Sequence, residues 1–212
     1  MANKVVIALL IILGATSSLM SQPQYTSLYV ESGYFIPSKE SFRGNYDQAL
    51  FIGTADIPLS FGIGIQYFVS RSSCLYLDLR IIKNLLASNE DISLTITPIV
   101  FGLYYYLPTK IINLGKFKPY SGIGVGFCRA EFNTKYLVTD ESSPEPIGVA
   151  EGTQEYLGPN LKLTLGIGYQ LGSTTSLGIA LNYDINHTGT ADEGGLGNVG
   201  GLLSTVKFTI GL

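Results

Sequence analysis

The one histidine of this 212-residue chain, His187, sits in Asn186-His187-Thr188-Gly189-Thr190, with Glu193 close behind. An imidazole beside hydroxyls and an acid is the raw material of an activated nucleophile, the ring taking the hydroxyl proton while the carboxylate orients the ring. The only cysteines, Cys74 and Cys128, could pair in an oxidising compartment, but with a single histidine they do not add up to a metal centre. Glycines at 62 and 64, at 122, 124 and 126, and at 166 and 168 could suggest a dinucleotide loop. That fingerprint needs a helix after the glycines, and none follows here; the spacing is strictly two. Residue parity puts six charges on one face: Glu31, Asp78 and Asp184 against Arg80, Lys162 and Lys207. No catalytic, cofactor or metal residue set emerges, and no cofactor is implied.

The segments that carry these residues alternate in period two. Ile57, Leu59, Phe61, Ile63, Ile65 and Tyr67 interleave with Pro58, Ser60, Gly62, Gly64 and Gln66. Leu161, Leu163, Leu165, Ile167 and Tyr169 interleave with Lys162, Thr164, Gly166, Gly168 and Gln170, and the C-terminus does the same with Val206, Phe208, Ile210 and Leu212. One apolar and one polar face is the mark of a strand. Eight strands are predicted, near 25–36, 56–69, 74–83, 92–107, 117–132, 159–171, 175–187 and 200–212. In the fourth, Leu94 and Ile96 differ in parity from Ile99, Phe101 and Leu103, which predicts a bulge near Thr97-Pro98.

Ahead of the strands, Lys4 precedes an eleven-residue apolar run from Val5 to Ala15 and the small residues Thr16-Ser17-Ser18. This reads as a secretory signal peptide over 1–21, leaving 22–212 as one β-barrel domain. Cleavage after Ser17, Ser18 or Ser21 fits equally. The run is too short to span a bilayer as a helix, for which about 20 residues are needed.

Connections alternate in length. Ser70-Arg71-Ser72-Ser73 and Gly172-Ser173-Thr174 are tight and 108–116 is modest, whereas 37–55, 84–91, 133–158 and 188–199 are long and polar. Short turns on one rim and long loops on the other describe an up-and-down barrel in a membrane, where open sheet edges are not tolerated. Only 14% of residues are charged, against about 25% in soluble domains. A net charge of −3 leaves no basic field for nucleic acid. A lipocalin-like barrel has the same strand count and would turn the apolar face inward. The polar face argues against it, being filled with Gly62, Gly64, Gly122, Gly124, Gly126, Gly166, Gly168, Gly178 and Gly211 rather than lysine and glutamate. Small residues suit a narrow lumen shared with Tyr76, Tyr104 and Tyr106. Outward Tyr67, Tyr105 and Tyr169 near the turns, with Tyr34 and Tyr183 near the loops, form two interfacial girdles.

Phe101-Gly102-Leu103-Tyr104-Tyr105-Tyr106-Leu107-Pro108 and Phe117-Lys118-Pro119-Tyr120-Ser121-Gly122-Ile123-Gly124-Val125-Gly126-Phe127 resemble the fourth and fifth strands of small bacterial outer-membrane β-barrels of the OmpA/OmpX type. Gly33-Tyr34-Phe35-Ile36-Pro37-Ser38 and the alternating C-terminus are similar too. The resemblance implies an all-β, eight-stranded antiparallel up-and-down transmembrane β-barrel in the Gram-negative cell outer membrane, with both termini periplasmic. It implies insertion by the barrel-assembly machinery through the last strand, and a monomer surrounded by outer-membrane lipid and lipopolysaccharide. Members more often end in phenylalanine, where this chain has Leu212. The peptidoglycan-binding domain of longer members is not expected.

Lipid A deacylases resemble this architecture and use a histidine with a serine two residues on. Here that position is Gly189, and the expectation is a non-enzymatic barrel with a structural or loop-mediated role. A narrow channel for small or apolar solutes is the alternative, and a lipid A-modifying enzyme a third reading. Cys74 and Cys128 are predicted to be free thiols, about 20 Å apart in height against a limit near 7 Å. The acids Asp140, Glu141, Glu145, Glu151 and Glu155 make 133–158 an acidic loop. The lumen is predicted to hold a stacked ion-pair plug in which Lys162 faces Asp184, Glu31 pairs with Lys207, and Asp78 and Arg80 lie opposite Gly64 and Gly62. The competing reading is a water-filled pore lined by the same charges. A charge placed on outward Ile63 or Leu165 is expected to cost more than one placed at inward Ser60.

Overall fold

The computed structural model of the chain describes residues 25–37, 58–85, 92–108, 114–139, 146–189 and 198–212. The predicted signal peptide over 1–21, the segment after the first strand, Asp140, Glu141 and Glu145, and Thr190 with Glu193 lie outside the described residues.

Eight strands follow in chain order: β1 (Thr26–Pro37), β2 (Leu59–Phe68), β3 (Ser73–Leu85), β4 (Ile92–Tyr106), β5 (Phe117–Thr139), β6 (Pro146–Gln170), β7 (Thr175–Asn186) and β8 (Gly201–Gly211). Each pairs with its neighbours in sequence, and β1 pairs antiparallel with β8, so the sheet closes. Closure removes the free edges that lipid would leave unsatisfied. The two tight turns share one device. Val69 and Ser70 donate their N–H groups to Ser73 O, as Leu171 and Gly172 do to Thr175 O.

The apolar faces point outward. Ile63, Val125, Leu165 and Ile179 are all more than half exposed, and the alternating residues turn into the barrel. This is the reverse of a lipocalin-like interior. All five predicted girdle tyrosines are exposed. At the turn-side rim Phe117 and Tyr169 pack ring to ring at 4.9 Å, with Lys116 above Tyr169.

Two expectations need correction. No bulge interrupts β4 at Thr97-Pro98: the register with β3 and β5 is the same on both sides of it. Proline has no N–H to give, and the β3 ladder lapses opposite Pro98 without shifting. Leu94 and Ile96 therefore point inward, into an apolar layer with Phe35, Ile82, Cys128, Ala130, Phe132, Val199 and Leu203. Parity misled because the lumen is polar only over part of its height.

Residues 133–139 and 146–158 are likewise strand, not loop. β5 and β6 stay paired from Phe117↔Tyr169 up to Thr139↔Pro146, a hairpin that outruns its neighbours. β4 leaves β5 at Thr134, and β7 leaves β6 at Asn160. Outside lipid a two-stranded ribbon meets water on both faces, so nothing forces an apolar/polar alternation.

Candidate functional site

The lumen is built in layers that can be followed along β3. Cys74 and Tyr76 belong to a turn-side cluster with Val100, Tyr104, Tyr120 and Ala180; Asp78 and Arg80 come next; Ile82 joins the loop-side apolar layer. Both cysteines are free and buried, one in each apolar layer, in line with their predicted separation.

Tyrosine over glycine sets the turn-side packing. Tyr29 lies opposite Gly64, Tyr76 opposite Gly102, Tyr104 opposite Gly122 and Tyr120 opposite Gly166, each on the next strand. A Cβ added at Gly64, Gly122 or Gly166 would sit 2.3, 2.3 or 2.4 Å from the facing ring. The glycines are absent side chains that admit the rings. Tyr76 and Tyr104 stack at 4.1 Å, and Tyr104 meets Tyr120 edge-on at 5.3 Å. Small residues in a crowded lumen are legible in the sequence; these pairs are not.

Arg80 is the centre of the charged layer. Its Nε donates to Glu31 Oε1 at 2.8 Å, its Nη2 to Asp78 Oδ2 at 2.9 Å, and its Nη1 to Asp184 Oδ2 at 2.9 Å. Lys162 Nζ donates to the same Asp78 oxygen at 2.7 Å. The backbone register is the predicted one: Lys162 opposite Asp184, Glu31 opposite Lys207, and Gly62 and Gly64 opposite Arg80 and Asp78. Gly62 lies between Glu31 and Arg80, and a Cβ there would come 2.9 Å from Glu31. The wiring differs from the register. Lys162 reaches Asp78 instead of Asp184, and Asp184 and Glu31 both go to Arg80. Ladder neighbours leave the wall side by side, whereas long side chains meet at the lumen centre. There a five-donor guanidinium gathers carboxylates better than an ammonium.

Lys207 is the exception. Its Nζ has no hydrogen-bond partner among the described residues and lies 4.9, 4.5 and 4.6 Å from the ring centres of Tyr29, Tyr104 and Tyr120. Three ring faces hold the cation that was expected on Glu31. A chain of polar side chains crosses β6, β7 and β8, Thr164 donating to Asn182 and Asn182 to Thr205.

The charged layer is dry. Arg80 is 1% exposed, and Lys162 and Asp184 are 0% exposed. A continuous water column at this level would wet them. Among the described residues the charges at this level form an ion-paired layer rather than a row of wetted, unpaired groups. Ser60 does point inward, but at 0% exposure it too is out of reach of water, which removes the reason to expect a smaller cost for a charge there.

At the loop side, Arg129 projects from the outer wall, donating to Glu155 Oε1 at 2.5 Å and lying 3.3 Å from Glu131. The bond to Glu155, then the two negative charges, raise its pKa above the ordinary arginine value. With exposed Phe127 just below and exposed Leu157 directly across from Arg129, this level marks where the hairpin leaves the apolar band.

His187 joins Asn198 through a single backbone bridge, and its ring is exposed while Thr188, the next residue, is buried. Successive side chains on an extended strand face opposite ways, so imidazole and hydroxyl are not brought together. Among the described residues no three His, Cys, Asp or Glu side chains gather as a metal site.

No protein-family model and no curated protein matches the sequence. Solved structures do. The outer membrane protein OprG from Pseudomonas aeruginosa aligns with a TM-score of 0.54 at 15% identity, covering 89% of this chain and 95% of that one. Neisserial surface protein A aligns at 0.49 and 15% identity over 89% and 94%. The N-terminal β-barrel domain of Pseudomonas aeruginosa OprF aligns at 0.43 and 14% over 90% and 100%. The likeness to OprG is one of fold: this chain is a closed eight-stranded barrel of the kind found in outer-membrane proteins.

Proposed function

We propose that the chain is an integral outer-membrane protein that neither conducts nor catalyses, and that works through the surface it raises on the loop side. Residues 1–21 direct export and are removed. The barrel-assembly machinery inserts the remainder through β8, and the monomer rests among lipid and lipopolysaccharide with both termini in the periplasm. The observation that carries this reading is the Arg80 cluster: an arginine 1% exposed and bound to Glu31, Asp78 and Asp184 fills the cross-section a channel would need. With the lumen closed, the long β5–β6 hairpin is the part best placed to meet partners. It bears charge on its outer face, as at Arg129, Glu131 and Glu155.

Orientation is tested with an epitope inserted between Ser142 and Ser143. Antibody added to intact cells binds it, whereas an epitope after Leu212 is reached only once the outer membrane is permeabilised. The opposite pattern overturns the orientation. Equal labelling of both sites in intact cells overturns the outer-membrane placement.

A further inference from the structure

The outer wall is not uniformly smooth. Across β1, β2 and β3 two outward rows of aliphatic side chains run in register, Leu28–Ile65–Leu77 and Val30–Ile63–Leu79. Between them lies the row Tyr29–Gly64–Asp78, whose side chains point into the barrel. At its centre Gly64 has no side chain, and the Tyr29 ring lies beneath it. Between the two outward rows lies a groove of about 400 Å³, lined by those six side chains together with Gly64 and Tyr29. Next in register stand Phe208 on β8, beside Val30, and Phe101 on β4, beside Leu77, one at each end of the groove.

We propose that this groove is a binding site for one acyl chain of an outer-membrane lipid, held in preference to the chains that cover the rest of the wall. The proposal rests on the membrane placement above, since only there does the groove face hydrocarbon. Its lining offers no side-chain donor or acceptor to the outside, so a headgroup or a peptide backbone would leave polar groups unmatched in lipid. A second barrel is a poorer fit. A stable protein interface engages about 20–30 residues a side, and eight residues line this groove. A flexible chain of methylenes needs no polar partner and can follow a channel between two rows of branched side chains.

The test uses the full mature protein in vesicles of phosphatidylethanolamine and phosphatidylglycerol, with a trace of phosphatidylcholine carrying a mid-chain diazirine. After photolysis, adducts are mapped by peptide mass spectrometry. Labelling at Ile63, Ile65, Leu77 and Leu79 is expected to exceed that at Ile123, Val125, Leu165 and Ile179 at least threefold. Those four are outward residues of similar or greater exposure on the other strands. Ile63→Phe and Leu79→Phe, which fill the groove from its lipid side, should bring labelling down to the level of the wall while heat-modifiable gel migration shows each variant folded. Equal labelling around the barrel overturns the groove and leaves the membrane placement standing. Enrichment that survives both filling variants also overturns it. Cross-linked dimers through these residues assign the groove to a second copy and overturn the lipid. Failure of every outward residue to label overturns the membrane placement itself.

Discussion

Replacing Arg80 with methionine keeps much of the volume and removes the charge that Glu31, Asp78 and Asp184 share. All three carboxylates are 5% exposed or less, so water does not replace the lost guanidinium without rearrangement. Removing one partner of a buried ion pair costs about 3–5 kcal/mol, because the other charge is left uncompensated. Three hydrogen bonds to a charged group, at about 1.5–3 kcal/mol each, would give about 5–9 kcal/mol if they added. They share one donor group and are not independent, so Arg80→Met is expected to lose about 3–5 kcal/mol. The chain has no tryptophan, so the assay is urea unfolding in lipid vesicles read from the folded and unfolded gel bands. The cause is isolated by adding Glu31→Gln and Asp184→Asn, which leave the Lys162–Asp78 pair intact. That triple variant should recover at least half of the loss. A cost below about 1 kcal/mol for Arg80→Met would mean the layer is hydrated, and no recovery would mean stranded charge is not the cause.

Gly166→Ala and Gly168→Ala, two residues apart on β6, separate ring packing from strand propensity in the same unfolding assay. The first drives a Cβ to 2.4 Å from Tyr120 and should cost about 1–3 kcal/mol, while the second meets nothing nearer than 3.9 Å and should be neutral or stabilise by about 0.4–1 kcal/mol. Lys207→Met, which removes a cation held by ring faces, should cost about 1–2 kcal/mol, less than Arg80→Met. Lys207→Glu, which turns a carboxylate against three ring faces, should cost several kcal/mol, and equal effects of the two changes would refute the cage. Ile63→Lys on the lipid face should cost about 2–4 kcal/mol, and Ser60→Lys no less, because both sites lack water. A tolerated Ser60→Lys would reveal a wet lumen.

Much of the barrel could be read from alternation alone. β1, β7 and β8 fall within a residue or so of their predicted bounds, and short turns fixed the register that sets Lys162 against Asp184 and Gly62 against Arg80. Alternation exists because lipid and lumen demand different residues, and it fails where that demand ends. Beyond Thr134 the hairpin has outrun β4 and leaves the lipid, and Leu94 and Ile96 face an apolar layer inside the barrel. The ion wiring was hidden for another reason. Parity and register locate Cα atoms on the wall, while the partners of Arg80 depend on which side chains meet across the lumen once β1 and β8 close. Tyr120 over Gly166 was hidden because a long segment separates β5 from β6 at the loop side, so its pairing could not be counted from a tight turn.

The claim that matters most is that Arg80, Lys162 and their three carboxylates seal the lumen. Single-channel recording of the purified, heat-modifiable protein in planar bilayers, with molar potassium chloride on both sides, tests it directly. The account predicts a current indistinguishable from the bare bilayer over long recordings at either polarity. Discrete, recurring conductance steps from the wild-type protein would contradict it.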